Sequence, residues 1–289
     1  MRNRPHPLLL GGRHYSVVSS LLLAMPFLLL SLLVFLLPLA TLLSESLFSP
    51  HFTLEHYQRA VSEPVYMRVM FRTLRIALFV TALALLLAWP LAWVMSRSKG
   101  LGLTLLLAAI LMPLWTSVLV RTYAWVVILQ RNGVINNLLE AAGVIDVPLR
   151  LLYTEVAVVI AMAHVLLPFM VLPIYASLRG IPDDYIRAAQ MMGATAWPTF
   201  REVVLPLSAP GITSGCLMVF LLAVGFFVTP SLIGGPQQMM ISTLVSQQVR
   251  EMLNWPFAGA LVGILLVFVI MLVLLFKRSI RLDRFVGTS

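Results

Sequence analysis

Few side chains in this chain could do chemistry, and those few point to binding and conduction more than to bond-making. The lysines are Lys99, in SRSKGLG, and Lys277, in LFKRS. Neither sits in GxxxxGK[ST], the pattern whose backbone amides and lysine cradle phosphates, so the chain is not expected to hydrolyse ATP itself. The single cysteine, Cys216, lies in an apolar run. Alone it forms neither an internal disulfide nor a Cys-rich metal site, and it reads as a small buried hydrophobe. No GxSxG-like nucleophile segment accompanies His164 and no TVGYG filter is present, which sets aside a serine hydrolase and a potassium-type pore. His164 reads as a packed, hydrogen-bonded residue, since no second titratable group lies within a helical turn of it. Arg121 also interrupts an apolar run. A charge in a span costs about 2.5 kcal/mol or more unless paired. It could repel a cation, bind an anion or pair with an acid; pairing with one such as Glu155 is the favoured expectation, and an outer-gate role comes next. Trp115, Tyr123, Trp125, Phe226 and Phe227 could offer ring faces to a cation, each contact contributing about 0.5–2 kcal/mol. Lipid-facing or packing roles compete for the same five residues.

The elements that carry these residues are membrane spans. Of 289 residues 60% are hydrophobic and 11% charged, and mean hydropathy is +0.97, whereas soluble domains carry roughly 25% charge. Spans of about 20 apolar residues are expected at approximately 17–43, 74–94, 103–129, 156–178, 211–233 and 257–276, within one transmembrane domain over 1–289. The basic N-terminus resembles a secretory signal, but the uncharged run from Tyr15 to Ser44 exceeds the roughly 7–15 residues of a signal core and reads as an uncleaved first span. Pro113 is expected to kink the third span, which membrane helices tolerate when neighbours satisfy the freed backbone groups.

The net charge of +9 resides in short loops, so it speaks of topology and not of nucleic acid. With six spans, one side collects both termini and the loops after spans two and four. That side holds twelve Arg and Lys against seven on the other, which also carries most of the acids. Both termini are therefore expected in the cytoplasm. YMRVMFRTLR, residues 66–75, puts three arginines on the outer side at spacings of four and three. An interfacial helix with snorkelling side chains accounts for them.

The inner segment 179–210 is then the only cytoplasmic loop large enough to be a recognition surface. Within RGIPDDYIRAAQMMGATAWPTFREVVLP, Pro182 suits a first helical turn, and Asp183 and Asp184 complement its positive end. A helix of about ten residues, roughly 15 Å long, should stop at Gly193 in a left-handed cap. Thr195 should cap a second helix bearing Trp197, Phe200 and Val204, which Pro206 and Pro210 end. Asp183 and Arg187 are spaced for an i,i+4 ion pair worth about 0.2–0.5 kcal/mol.

This segment resembles the cytoplasmic signature of permease subunits of bacterial ABC importers: EAA, three residues, Gly, nine residues, Ile, any residue, Leu-Pro. Arg187, Ala188, Ala189, Gly193, Val203, Leu205 and Pro206 keep every spacing. The departures are Arg187 in place of Glu and Val203 in place of Ile. From about Tyr66 onward the chain is similar to the first permease subunits of spermidine/putrescine importers, in PLWTSVLVRTYAW, NGVINNLLEAAGVIDVPLRLLYT, LLPFMVLPIYASL, LPLSAPGI and NWPFAGAL. The resemblance implies an all-α polytopic fold of six transmembrane helices, of the type I importer kind, in the bacterial inner membrane. It implies that Asp183, Asp184, Arg187, Ala188, Ala189, Gly193, Leu205 and Pro206 belong to a coupling loop whose first helix docks on an ATPase. The implied assembly adds a second, different permease, two copies of that ATPase, which bind ATP and Mg, and a periplasmic binding protein; this chain needs no cofactor of its own. Polyamine import by alternating access is the implied function. Another small organic solute carried by the same architecture is the alternative. A secondary transporter ranks lower, because mid-membrane acids and internal repeats are missing.

Overall fold

A computed structural model of the chain describes residues 17–49 and 51–279. The basic residues at the extremities, Arg2, Arg4, Arg13, Arg281 and Arg284, lie outside them. The described residues are α-helical, with only an isolated bridge between Phe48 and Phe52 in extended pairing. In chain order, α1 (Val17–Ser31), a π turn (Leu32–Leu36) and α2 (Leu37–Leu47) form one apolar rod. After α3 (Glu55–Ser62) come α4 (Pro64–Arg97), α5 (Gly100–Trp115), α6 (Val118–Leu129) and α7 (Val134–Ala141). Next are α8 (Glu155–Arg179), α9 (Asp183–Met191), α10 (Ala196–Thr199), a π turn (Phe200–Val204) and α11 (Leu205–Val224). The chain continues through α12 (Val228–Ile233), a 3-10 turn (Pro236–Gln238), α13 (Ile241–Arg250) and α14 (Trp255–Ser279).

Five continuous helical stretches are long and apolar enough to cross a membrane: 22–47, α4, α8, 196–224 and 255–274. Helix α5 and the stretch 118–141, which holds α6 and α7, make a sixth crossing only if taken together, and they are bent by 100°. The single kinked helix expected over 103–129 is therefore two helices. Pro113 withdraws an N–H near the end of α5, and the chain turns at Thr116 and Ser117 in extended geometry. Their hydroxyls meet the freed backbone groups: Thr116 Oγ1 donates to the Pro113 carbonyl at 2.8 Å, and Ser117 Oγ accepts from the Leu119 N–H.

Two further expectations change. Arg68, Arg72 and Arg75 do not occupy a separate interfacial helix, because α4 runs unbroken for 34 residues, about 51 Å at 1.5 Å per residue. That exceeds a hydrocarbon core of roughly 30 Å, so the arginine-bearing first turns extend past the apolar stretch, and Arg75 bonds Glu155 at the head of α8. Nor do Pro206 and Pro210 end the second loop helix. The π turn at Phe200–Val204 lets Leu205 N–H reach back to the Phe200 carbonyl. The wider turn leads into α11 with Pro206 in its first turn, where a missing N–H costs little. The expected fifth span accordingly begins earlier, and it ends at Gly225, ahead of the separate helix α12.

The core lies where α8 packs against α4 and α11. Small residues make that approach possible, as between membrane helices generally. Ala77, Ala84, Ala88 and Ala92 of α4 and Ala157, Ala161 and Ala163 of α8 are buried. Gly211 of α11 lies so close to α8 that an added Cβ would stand 2.5 Å from both the Pro173 carbonyl and the Ser177 Cβ. The buried Thr73 hydroxyl of α4 accepts the Ile241 N–H at 2.8 Å and anchors α13. The α14 helix packs on α2, α3 and α13.

Candidate coupling surface and translocation path

The loop signature folds as a helix, a turn and a helix that merges with a span. Pro182 is the N-cap of α9, one position before the expected first turn, and Asp183 and Asp184 sit in that first turn. Gly193 adopts φ +87° and nothing crowds its missing Cβ. Its N–H reaches the Gln190 carbonyl while Ala194 N–H reaches Ala189, which closes the helix end. Thr195 precedes α10, but its side chain makes no cap; its carbonyl instead accepts the Thr199 hydroxyl at 2.9 Å.

The α9 helix has two faces. Ala189 is buried and Ile186 half-buried against the core, whereas Arg187 and Ala188 point outward. Met191, Met192 and Trp197 are 89%, 83% and 67% exposed. The expected Asp183–Arg187 pair does not form. Asp183 Oδ1 instead accepts from Arg97 Nη1 at 3.4 Å, which ties the loop to the end of α4 and leaves Arg187 without an ion pair among the described residues. Aromatic rings extend this tie. Trp197 lies 5.4 Å from Phe200, Phe200 4.9 Å from Trp89, and Trp89 stacks on Trp93 at 5.7 Å. The Arg97 guanidinium covers Trp93 at 4.7 Å. Of the residues expected on the second loop helix, Val204 is buried and Phe200 half-buried, while Leu205 and Pro206 are exposed at the head of α11. The roles of Arg97, Trp89 and Trp93 were not legible from spacing, because they lie about a hundred residues upstream.

The second set of residues gathers around α6. Trp125 Nε1 donates to His164 Nδ1 at 3.2 Å, with the rings edge to face. His164 is thus hydrogen-bonded, yet its residue is exposed on α8. It stands nine residues from Glu155 and fifteen from Arg179, about 14 Å and 22 Å along the helix, which is mid-span. Arg121 lies one turn before Trp125. Its Nε and Nη1 atoms are buried and have no hydrogen-bond partner among the described residues. The expected pairing with Glu155 is overturned, since that carboxylate is held by Arg75. Next to Arg121, the Thr122 and Thr229 hydroxyls bond at 3.0 Å and join α6 to α12. Phe226 and Phe227 precede α12 and are half-buried, and the Phe226 carbonyl accepts the Ser242 hydroxyl at 2.7 Å. Trp115, beyond the bend, is 87% exposed and Tyr123 56% exposed. Trp125 thus pairs with His164, while Trp115, Tyr123, Phe226 and Phe227 form no aromatic pair among the described residues. No group of three or more His, Cys, Asp or Glu suited to a metal occurs among them either.

Residues 11–280 match the family described as binding-protein-dependent transport system inner membrane component. The chain belongs to that family. This inner membrane component is 36% identical over 231 residues to the spermidine/putrescine transport system permease protein PotB of Escherichia coli, covering 80% of this chain and 84% of that one. It is 34% identical over 235 residues to the inner membrane ABC transporter permease protein YdcU of Escherichia coli, 76% and 74% of the two chains. The molybdenum transport system permease protein ModB of Mycobacterium bovis is 30% identical over 215 residues, 74% and 80% of the two. Among solved structures, a chain of a bacterial ABC transporter involved in the import of the acidic polysaccharide alginate matches with a TM-score of 0.71 at 19% identity, over 93% of this chain and 96% of that one. A second structure of an alginate ABC transporter, in complex with an alginate pentasaccharide-bound periplasmic protein, gives a TM-score of 0.72 at 20% identity, with the same coverage. The component is thus a multi-pass permease subunit with the fold of ABC importer permeases.

Proposed function

We propose that this chain is one transmembrane subunit of an ABC importer for polyamines, acting as a single permease unit over 1–289 with both termini in the cytoplasm. The observation that carries the cargo assignment is the 36% identity over 231 residues to spermidine/putrescine permeases. In this reading a second, different permease completes the pathway, a periplasmic binding protein delivers the cargo, and two copies of an ATPase hold ATP and Mg. The part-buried Arg121 supports a second permease, because two guanidinium nitrogens buried within an apolar run and lacking an acceptor call for one from a neighbouring chain.

Alternating access then follows from the geometry. The exposed apolar end of α9 docks on the ATPase, and Asp183, Asp184, Arg187, Ala188 and Ala189 place that helix. Gly193 fixes the turn, and Leu205 and Pro206 pass the displacement directly into α11, with no flexible joint between. The Trp197–Phe200–Trp89–Trp93 series carries the same displacement to α4. Swinging a two-state equilibrium from 1:99 to 99:1 takes about 5.5 kcal/mol of differential affinity, so a hairpin that melted under load would not couple. Trp125, His164, Phe226 and Phe227, with Trp115, Arg121 and Tyr123, form this chain's side of the pathway. With the acids Glu45, Glu155 and Glu202 lying toward the ends of their spans, this wall should hold a polycation weakly, as a conduit requires.

The test is ATPase stimulation in the reconstituted complex by candidate binding proteins loaded with putrescine, spermidine or amino acids. Stimulation by a polyamine-loaded protein is expected. Silence toward every polyamine, or a response to amino acids alone, would replace the cargo and keep the architecture.

A further inference from the structure

The ends of α4, α8 and α9 enclose a cleft of about 400 Å³ lined by Trp93, Arg97, Lys99, Arg179, Asp183 and Ile186, among others. Three of these side chains are cationic and one is anionic. Arg97 shares itself between Asp183, at 3.4 Å, and the face of Trp93, at 4.7 Å. Arg179 reaches only a main-chain oxygen, the Ser96 carbonyl, at 3.4 Å. Lys99 has no ion pair among the described residues. Two cations therefore converge on one concavity without a counter-ion.

The position of the cleft narrows the ligand. All three cations sit where a spanning helix stops: Arg97 closes α4, Lys99 precedes α5 and Arg179 closes α8. The stacked Trp93 and Trp89 lie about one and two turns inside that boundary, and tryptophan favours the headgroup level of a bilayer. A basic pocket between spanning helices at this level suits a phosphate-bearing headgroup. We propose that the cleft binds the headgroup of an anionic phospholipid from the leaflet on the α9 side, its phosphate lying between Lys99 and Arg179. The headgroup would also draw Arg97 from Asp183, whose mutual attraction is weak because the side chains are 45% and 68% exposed. Lipid composition would in this way reach the α4–α9 tie directly.

The cytoplasmic placement of α9 belongs to the proposed function, but lipid binding needs neither cargo nor ATP. Its failure would leave the transport reading untouched, and the reverse also holds. The test is native mass spectrometry of the full chain purified from membranes containing phosphatidylglycerol. The comparison is between wild type, Lys99→Gln/Arg179→Gln, and the charge-preserving Lys99→Arg/Arg179→Lys. Retained phosphatidylglycerol should fall at least threefold in the first variant and stay near wild type in the second, with gel filtration reporting that both are folded. A second arm adds excess inorganic phosphate to the wild type. Retention should persist, because the lipid's tails add apolar contact with the protein that inorganic phosphate lacks. Equal retention in all three proteins overturns the proposal, as does displacement by inorganic phosphate, which would make the cleft a site for a free anion. Loss of retention in both variants would also overturn it, since charge would then not be what binds.

Discussion

At the end of α9 the molecule exposes large apolar side chains, and at α6 it buries part of a charge inside an apolar run. Met191 and Met192 are more than four-fifths exposed beyond the ends of α4 and α8, while Arg121 buries two guanidinium nitrogens with no acceptor among the described residues. Elsewhere the chain is conventional: small residues pack α4, α8 and α11, and polar side chains such as Asn136 satisfy main-chain groups across the loops. The two sites have opposite chemistry, and in the proposed assembly other chains would complete both; Trp89 Nε1 and Thr243 Oγ1 are further buried polar atoms without a partner among the described residues.

The largest test of that contrast is at the apolar end. Met191→Asp with Met192→Asp should weaken ATPase binding by about 100-fold, the equivalent of about 2.8 kcal/mol, as removal of a central interface cluster does. Membrane insertion should not change, because neither side chain contributes to the buried core. A binding titration with the purified ATPase reads this out. Unchanged affinity would mean that bilayer covers the methionines, and the contrast would collapse to ordinary membrane exposure.

The charged end gives the next largest effect. Arg121→Gln should lower uptake in proteoliposomes by about tenfold, or about 1.4 kcal/mol, if a neighbouring subunit's acceptor depends on it. Thermal unfolding of the isolated chain should hold steady or rise, since an uncompensated charge has been removed from a span. A fall in the isolated chain's Tm alongside uptake would show that Arg121 stabilises this fold and would end the parallel with α9.

The two regions also differed in how much of them could be read from residues alone. The α9 hairpin was legible because its determinants are local: two acids in a first turn, a glycine at the end, and fixed spacing to Leu205 and Pro206. The left-handed Gly193 follows from that pattern, and φ +87° agrees. What failed there was reach. An i,i+4 rule paired Asp183 with Arg187, whereas the fold brings up Arg97 from α4. The region around α6 was hard to read for the same reason at larger scale. Composition makes 103–129 one apolar run, and nothing local says that Thr116 and Ser117 could satisfy a broken backbone and turn the chain by 100°. That bend brings Trp125 to His164, and Arg75's capture of Glu155 leaves Arg121 alone; both are tertiary events between residues tens of positions apart.

The smallest predicted effect bears on the residue that departs from the family signature. Arg187 is exposed, and with Asp183 engaged by Arg97 it has no partner within the hairpin. Its charge is therefore free to face the ATPase, and the opposing groove should be acidic or neutral there. Reversing the charge with Arg187→Glu should weaken binding by about threefold, or about 0.6 kcal/mol. Most of the change should appear in the association rate and fade with added salt, as expected for a charge at an interface rim. Stopped-flow binding at two ionic strengths distinguishes this from the methionine effect, which should reside in the dissociation rate and persist in salt. If Arg187→Glu binds as well as wild type or better, the groove carries no acid opposite it. The docking of α9 would then rest on its apolar end alone.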